Sequence, residues 1–67
     1  TNAKLIKRAL ALTVRASGAD EAAARAVLAQ CDHHVKTAIV ALRKRVSVAE
    51  AQALLAAADG SIRVALQ

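Results

Sequence analysis

Four basic residues of the first fifteen could bind phosphate. Drawn at 100° per residue, one side of this segment carries Lys4, Lys7, Arg8 and Arg15. Lysine and arginine together outnumber aspartate and glutamate by ten to five, which gives a net charge of +5 at pH 7. Such a surface can attract the phosphate of a nucleic acid or of a sugar phosphate. It is equally typical of the solvated side of an amphipathic helix, which is the simpler interpretation.

The single cysteine and the two histidines lie close together in the sequence. Cys31 and His34 are three residues apart and could touch one ion, but two ligands do not complete a structural zinc site. Because adjacent helical residues point about 100° apart, His33 and His34 make a poor chelate. We therefore expect a buried thiol and two exposed histidines, with no metal and no cofactor. Serine, histidine and acidic residues also lack the spacing of a catalytic set, so we predict no catalytic residue.

Binding to nucleic acid or protein is the alternative function for the basic surface. The chain has no aromatic residue to stack on the bases of a single strand. A helix-turn-helix reads bases from the start of its second helix, and the polar residues of 33–37 match that role weakly. A free-standing basic helical interaction module therefore remains the alternative hypothesis, with nucleic acid as its less favoured partner.

The elements that carry these residues are predicted to be helices. Alanine dominates the apolar residues, no proline interrupts the chain, and only two glycines occur. We predict helices over 3–16, 21–30, 34–45 and 48–58, and a short last helix that carries Ile62, Ala65 and Leu66. The fold class is therefore all-α, a small bundle of about five short helices.

Capping residues mark most of the helix ends. We assign N-caps at Asn2, Asp20, Ser47 and Ser61. Ser47 with Glu50 has the spacing of a capping box. Gly18 is the predicted left-handed C-cap of the first helix, and the cations at 43–45 suit the C-terminus of the third.

Apolar spacing predicts that the third helix is the centre of the bundle. Its buried face is Val35, Ala38, Ile39, Leu42 and Val46. The predicted inner face of the first helix is Leu5, Ile6, Ala9, Leu10, Leu12, Thr13 and Ala16. The inner residues of the second helix are Ala24, Val27, Leu28 and Cys31, and those of the fourth are Val48, Ala51, Leu54, Leu55 and Ala58. Val40 and Val64 are left open as interface residues or merely exposed ones.

An internal repeat relates the two halves of the bundle. Residues 20–39 align without gaps with residues 47–66, at an offset of 27. Each copy predicts a helix, a tight turn with an aspartate, and a second helix, with Asp32 and Asp59 as equivalent capping residues. Two copies are too few for a solenoid, so we expect one compact domain over residues 1–67.

Two family resemblances rest on these motifs. Leu-x-x-x-x-Ser-Gly-Ala-Asp at 12–20, followed by an alanine-rich helix and Val-x-x-Ala-Ile-x-x-Leu at 35–42, resembles the ubiquitin-associated-type three-helix fold. A second set of blocks covers nearly the whole chain: Thr1–Leu5, Arg8–Ala9, Ser17–Gly18, Val35–Val40, Ser47–Ala51 and Leu54–Gly60. In order and spacing these blocks resemble the C-terminal helical domain of N-acetylmuramic acid 6-phosphate etherases. The implied architecture is a ubiquitin-associated-like three-helix core plus a C-terminal helical hairpin.

The etherase resemblance implies a longer parent enzyme of the bacterial cytoplasm. A sugar-isomerase (SIS) domain would precede this chain and carry the catalytic carboxylates and most of the sugar-phosphate site. The family cleaves the D-lactyl ether of N-acetylmuramic acid 6-phosphate in cell-wall sugar recycling, without a metal and as a homodimer. This chain would be a C-terminal fragment, inactive alone, whose partner is the SIS domain of the same polypeptide. No membrane partner is expected, since no apolar run approaches the roughly 18 residues of a membrane span.

The resemblance also implies a ligand site. Asn2 and Lys4 match the opening block of the family domain, so Lys4 is the predicted phosphate contact, with Asn2 and Arg8 as further phosphate-binding candidates. The family usually has a glycine in the turn before the third helix, where this chain has His33. This difference leaves open whether the turn, and any contact that it makes, has the geometry found in the family.

Overall fold

The computed structural model describes residues 2–67, and helix is the only regular secondary structure among them. The five helices are α1 (Asn2–Ser17), α2 (Glu21–Gln30), α3 (Val35–Lys44), α4 (Val48–Ala57) and α5 (Ile62–Ala65). The predicted all-α class and the order of five helices are confirmed. Each predicted boundary of the four longer helices lies within one residue of the observed one.

Side chains cap three of the helices as predicted. The side chains of Asp20, Ser47 and Ser61 each accept a hydrogen bond from the backbone amide three residues later. The donor–acceptor distances are 2.7, 3.0 and 3.2 Å, respectively. The second contact of the capping box runs from the Ser47 hydroxyl to the Glu50 carboxylate at 3.4 Å, rather than from the Ser47 amide. The N-cap assignment of Asn2 is wrong, because Asn2 is itself the first helical residue of α1.

Residues in the left-handed conformation end the four longer helices. Gly18 has φ 75° and donates its amide to the Val14 carbonyl at 2.9 Å, which confirms the predicted C-cap. Arg45 ends α3 with φ 56°, and the Val46 amide reaches the Ala41 carbonyl at 3.0 Å. The third helix therefore stops one residue earlier than predicted.

The two turns of the repeat have the same backbone hydrogen bonds. His33 donates its amide to the carbonyl of Leu28, and Gly60 donates to Leu55, each at 2.8 Å. This bond to the residue five positions earlier closes a helix in the Schellman motif. The two donors are 27 residues apart, and so are the two acceptors, which is the offset of the sequence repeat. The two copies of the repeat therefore also have the same turn geometry.

The aspartates of these turns act through their backbone and not through side-chain capping. Asp32 and Asp59 have φ 55° and 56°. The N-caps of α3 and α5 are His34 and Ser61, and no hydrogen bond of either aspartate side chain is present in the structure of residues 2–67. Aspartate suits the position because its short polar side chain tolerates the left-handed conformation better than most residues do. The predicted capping role is thus corrected.

Helix α3 contacts all four other helices, as expected for the central helix. On one side, α1 and α2 pack around a cluster of Leu28, Cys31 and Ala38. On the other side, α4 and α5 pack around a cluster of Val40, Ala41, Ala51, Leu55 and Ala65. Val40, left open by the sequence, is fully buried, whereas Val64 is 46% exposed.

Helix α1 buries a narrower face than its apolar pattern predicted. Thr13 is fully buried and donates its hydroxyl to the Ala9 carbonyl at 2.8 Å. Leu5, Ile6 and Leu12, predicted to be buried, are 60%, 44% and 48% exposed, and Ala16 is also exposed. There are two reasons. Leu5 and Ile6 precede Ala9, the first residue of α1 that is even partly buried, because α1 is 16 residues long and its neighbours α2 and α3 have only 10 each. Leu12 and Ala16 lie beside the buried Thr13 in the sequence but about 100° and 60° away from it around the helix axis.

We predict that His33→Gly stabilises the domain. His33 has φ 60°, a conformation that costs a residue with a side chain roughly 1–2 kcal/mol. The greater freedom of glycine in the unfolded chain offsets about 0.4–1 kcal/mol, which leaves a net gain of about 0.5–1 kcal/mol. Urea denaturation monitored by circular dichroism measures this change in the unfolding free energy.

The matched control is Gly60→Ala in the other turn. No atom lies near an added Cβ there, so the expected loss of about 1 kcal/mol comes from backbone strain alone. A lower unfolding free energy for His33→Gly would contradict the prediction.

Candidate functional site

The predicted phosphate-binding residues all lie on the first two turns of α1. Lys4 and Arg8 are exposed and one turn apart, so their side chains share one face of the helix. The ion pair found among residues 2–67 joins Arg25 to Glu21 at 2.6 Å, and no carboxylate of these residues pairs with Lys4 or Arg8. The two cations are therefore accessible to an external anion.

Asn2 lies on a different face of the same helix. At 100° per residue, its side chain starts about 160° away from that of Lys4 around the helix axis. It lines a cavity of about 340 Å³ with Leu5, Ile6, Ala9, Asp32 and His33. The structure thus brings Lys4 and Arg8 together and separates Asn2 from them. A small anion on the Lys4 face would not meet Asn2.

The cavity beside Asn2 belongs to an exposed apolar surface. We call Leu5, Ile6 and Leu12 the α1 apolar face. Its three large side chains are all more than two fifths exposed, in a chain whose core is small. Contiguous apolar side chains left open to water are typical of surfaces that another protein segment covers.

Cys31 and the histidines form no ligand site. The Cys31 thiol is buried and donates to the carbonyl of His34 at 3.4 Å and, more weakly, to that of Leu28 at 3.8 Å. Burial raises the pKa of the Cys31 thiol, which keeps it protonated and unreactive. His33 and His34 are exposed. The expected buried thiol and exposed histidines are confirmed, and residues 2–67 contain no cluster of three side chains suited to holding a metal.

A second cavity, of about 400 Å³, opens at the start of α3. Its lining residues are His34, Val35, Lys36, Thr37, Leu55 and Gly60. The sequence does not predict this cavity, because Thr37 lies outside the apolar stripe and was counted only among the polar residues that could read bases. It is 93% buried, with 7% exposure, and so is unsuited to reading bases. The one signal in the sequence was the repeat, which places His34 where the second copy has the capping Ser61.

Named relatives match the chain along its whole length. An N-acetylmuramic acid 6-phosphate etherase of Klebsiella aerogenes is 48% identical over 66 residues, which is 98% of this chain. Etherases of Salinibacter ruber and Bacillus subtilis are 43% and 42% identical over all 67 residues. The chain is homologous to a segment of these etherases. It spans 22% of the length of each of the three.

The match to the etherases confirms the family resemblance drawn from the sequence blocks. It accounts for every helix of the bundle, since all 67 residues align with the Salinibacter and Bacillus etherases. No family model and no solved structure matches the chain. Within residues 2–67, no helix is both long enough and apolar enough to cross a lipid bilayer.

We predict that the stability of the chain falls above about pH 9 because of Cys31. Since the pKa of the thiol is raised in the folded state from an ordinary value of 9.0, the unfolded chain loses the proton first. The unfolded state then binds fewer protons, so the unfolding free energy decreases as the pH rises through that window and is unaffected by Cys31 below it. Urea denaturation at pH 7, 9 and 10 measures the effect. Cys31→Ala, compared at each pH, is the control and should show a smaller decrease; equal decreases would contradict the prediction.

Proposed function

We propose that this chain is the C-terminal accessory domain of an N-acetylmuramic acid 6-phosphate etherase and is inactive by itself. The observation that carries the proposal is the 48% identity over 98% of the chain to an enzyme of which it spans only 22%. An accessory role also agrees with the site chemistry: the thiol is buried, the histidines are exposed, and the ion pair between Glu21 and Arg25 is a solvent-exposed contact within one helix.

In this proposal the parent enzyme cleaves the D-lactyl ether of N-acetylmuramic acid 6-phosphate in the cytoplasm. A SIS domain of the same polypeptide precedes the helical domain, carries the catalytic carboxylates and forms a homodimer with its copy. The unit α1–α3 is then of the ubiquitin-associated type, and α4–α5 is an appended hairpin. The packing of α1, α2 and α3 around Leu28, Cys31 and Ala38 supports this division.

The surface that meets the rest of the parent enzyme is, in this proposal, the α1 apolar face. Leu5, Ile6 and Leu12 lie on the longest helix and are left exposed by α2 and α3. Fully burying a large aliphatic side chain is worth roughly 1.5–3 kcal/mol, and because these three are already about half buried, the contact gains about half of that for each before the entropic costs of ordering. That is sufficient to hold a tethered domain in place, because tethering makes the association intramolecular.

Lys4 and Arg8 are proposed to face the sugar-phosphate site of the parent enzyme. They flank the α1 apolar face, are exposed, and are not paired with a carboxylate of residues 2–67. Docking through the apolar face would bring both cations to the edge of the contact. There they can pair with the 6-phosphate of the substrate, whose charge favours ammonium and guanidinium donors.

We predict that Leu5→Asp in the full-length parent enzyme loosens the domain. The charge would be buried in the proposed contact, so the domain should become cleavable by limited proteolysis and its melting temperature should fall. In the isolated 67-residue chain Leu5 is exposed, so the same change should alter the unfolding free energy by less than about 0.5 kcal/mol.

Val64→Asp is the matched control for Leu5→Asp. Val64 is similarly exposed, at 46%, but lies on α5. It should leave the protease resistance of the parent enzyme unchanged. Equal effects of Leu5→Asp and Val64→Asp would refute the α1 apolar face as the contact.

We also predict that Lys4→Ala raises the KM of the parent enzyme for its sugar phosphate by about 10- to 100-fold. This corresponds to the roughly 1.5–3 kcal/mol of a hydrogen bond to a charged group. Steady-state kinetics measures it, with Arg15→Ala, two to three turns further along α1, as the control that should leave KM unchanged. An unchanged KM for Lys4→Ala would remove the phosphate assignment and leave the docking proposal intact.

The alternative function is a basic interaction module that binds protein or nucleic acid. The net charge of +5 and the unpaired Lys4 and Arg8 favour it, whereas the buried Thr37 argues against base readout at the start of α3. Titration of the chain with duplex and single-stranded DNA at two salt concentrations separates the two functions. Binding that weakens steeply with salt would favour the alternative.

A further inference from the structure

The N-terminus of α3 lacks the cap that α2, α4 and α5 have. Its N-cap residue, His34, makes no side-chain capping bond, and the first intrahelical bond runs from the Ala38 amide to the His34 carbonyl. The internal repeat shows what is missing. In the second copy the Ser61 hydroxyl accepts from the Val64 amide at 3.2 Å. Twenty-seven residues earlier, the corresponding amide is that of Thr37, and it has no such acceptor.

A threonine with little solvent exposure lies at the same place. Thr37 is only 7% exposed and lines the 400 Å³ cavity. The buried Thr13 hydroxyl is satisfied by the Ala9 carbonyl at 2.8 Å, but the Thr37 hydroxyl takes part in no side-chain hydrogen bond with the described residues. No completely enclosed side-chain polar atom of residues 2–67 lacks a partner. The Thr37 hydroxyl oxygen is therefore not completely enclosed, and Thr37 is a lining residue of the cavity.

The lining of the cavity favours an anion that has an apolar part. The Lys36 ammonium already donates to the Gly60 carbonyl at 3.1 Å across the cavity, and it has two further protons to donate. Val35 and Leu55 supply an aliphatic wall, and none of the lining residues is acidic. The N-terminus of a ten-residue helix adds its positive dipole end at the same point.

We propose that this cavity binds a small aliphatic carboxylate. One carboxylate oxygen approaches the N-terminus of α3 from the cavity and accepts from the amide and the hydroxyl of Thr37. The other oxygen pairs with Lys36, and the carbon chain lies against Val35 and Leu55. A carboxylate fits better than a phosphate, because a single ammonium and an aliphatic wall suit a singly charged group joined to carbon. The proposal does not depend on the etherase assignment.

The test is an NMR titration of the ¹⁵N-labelled 67-residue chain with sodium butyrate. We expect saturable shifts of the Lys36 and Thr37 amides, with a dissociation constant in the millimolar range. Butyramide, which has the same shape without the charge, should bind at least ten times more weakly, and so should inorganic phosphate. Absence of saturable shifts at these amides, or equal binding of butyramide, would overturn the proposal. Tighter binding of phosphate would overturn the assignment to carboxylates.

Two variants separate binding from folding. Thr37→Val keeps the shape of the side chain and removes the hydroxyl, so it should weaken butyrate binding by about tenfold while the spectrum stays that of a folded chain. His34→Ser introduces the cap that Ser61 gives α5, which should raise the melting temperature and abolish butyrate binding by occupying the Thr37 amide. A more stable His34→Ser chain that still binds butyrate as tightly as the parent sequence would refute the site.

Discussion

The enclosure of α3 is the constraint on which the rest of the bundle depends. Five consecutive residues of this helix, from Thr37 to Ala41, are buried, so neighbours must cover it on nearly every side. A chain without aromatic residues cannot fill that space with a few large side chains. The closest contacts between helices are instead made by alanines, at Ala24, Ala38 and Ala51, whose small side chains let the helix backbones approach. Larger aliphatic residues such as Leu28 and Val40 fill the space between them.

The turns help to fix the orientation of the helices, which so small a core cannot do by itself. Each of the four longer helices ends on a left-handed residue, which fixes the direction of the next helix through the backbone alone. The two hairpins therefore have nearly the same geometry, and at equivalent positions of the repeat they bury the same residue types: Ala24 and Ala51, Leu28 and Leu55, Ala38 and Ala65. In the second, Gly60 adopts the conformation freely; in the first, His33 adopts it against its steric preference. The strain at His33 is offset by the packing of α2 and α3, which leaves the turn no other path.

Short-range patterns in the sequence were sufficient to predict where the helices begin and end. They were not sufficient to predict which apolar side chains stay exposed. Asp20, Ser47 and Ser61 could be assigned as caps because capping involves only the next three residues. The exposure of Leu5 and Leu12 could not be predicted, since an apolar stripe indicates that a helix is amphipathic and not how much of the stripe its neighbours cover. Likewise Asp32 could be predicted as a turn residue. Whether it caps a helix with its side chain or adopts the left-handed backbone conformation depends on φ, which cannot be predicted from the sequence.

The α2–α3 turn connects the two open surfaces of the molecule. Asp32 and His33 line the cavity beside the α1 apolar face, and His34, the next residue, lines the cavity at the start of α3. Whatever covers the first cavity touches the residues whose left-handed backbone sets where α3 begins. These three residues are consecutive, so the backbone path of a single turn fixes part of the lining of both cavities. His33 restricts that path more than glycine would, because a residue with a side chain has fewer backbone conformations.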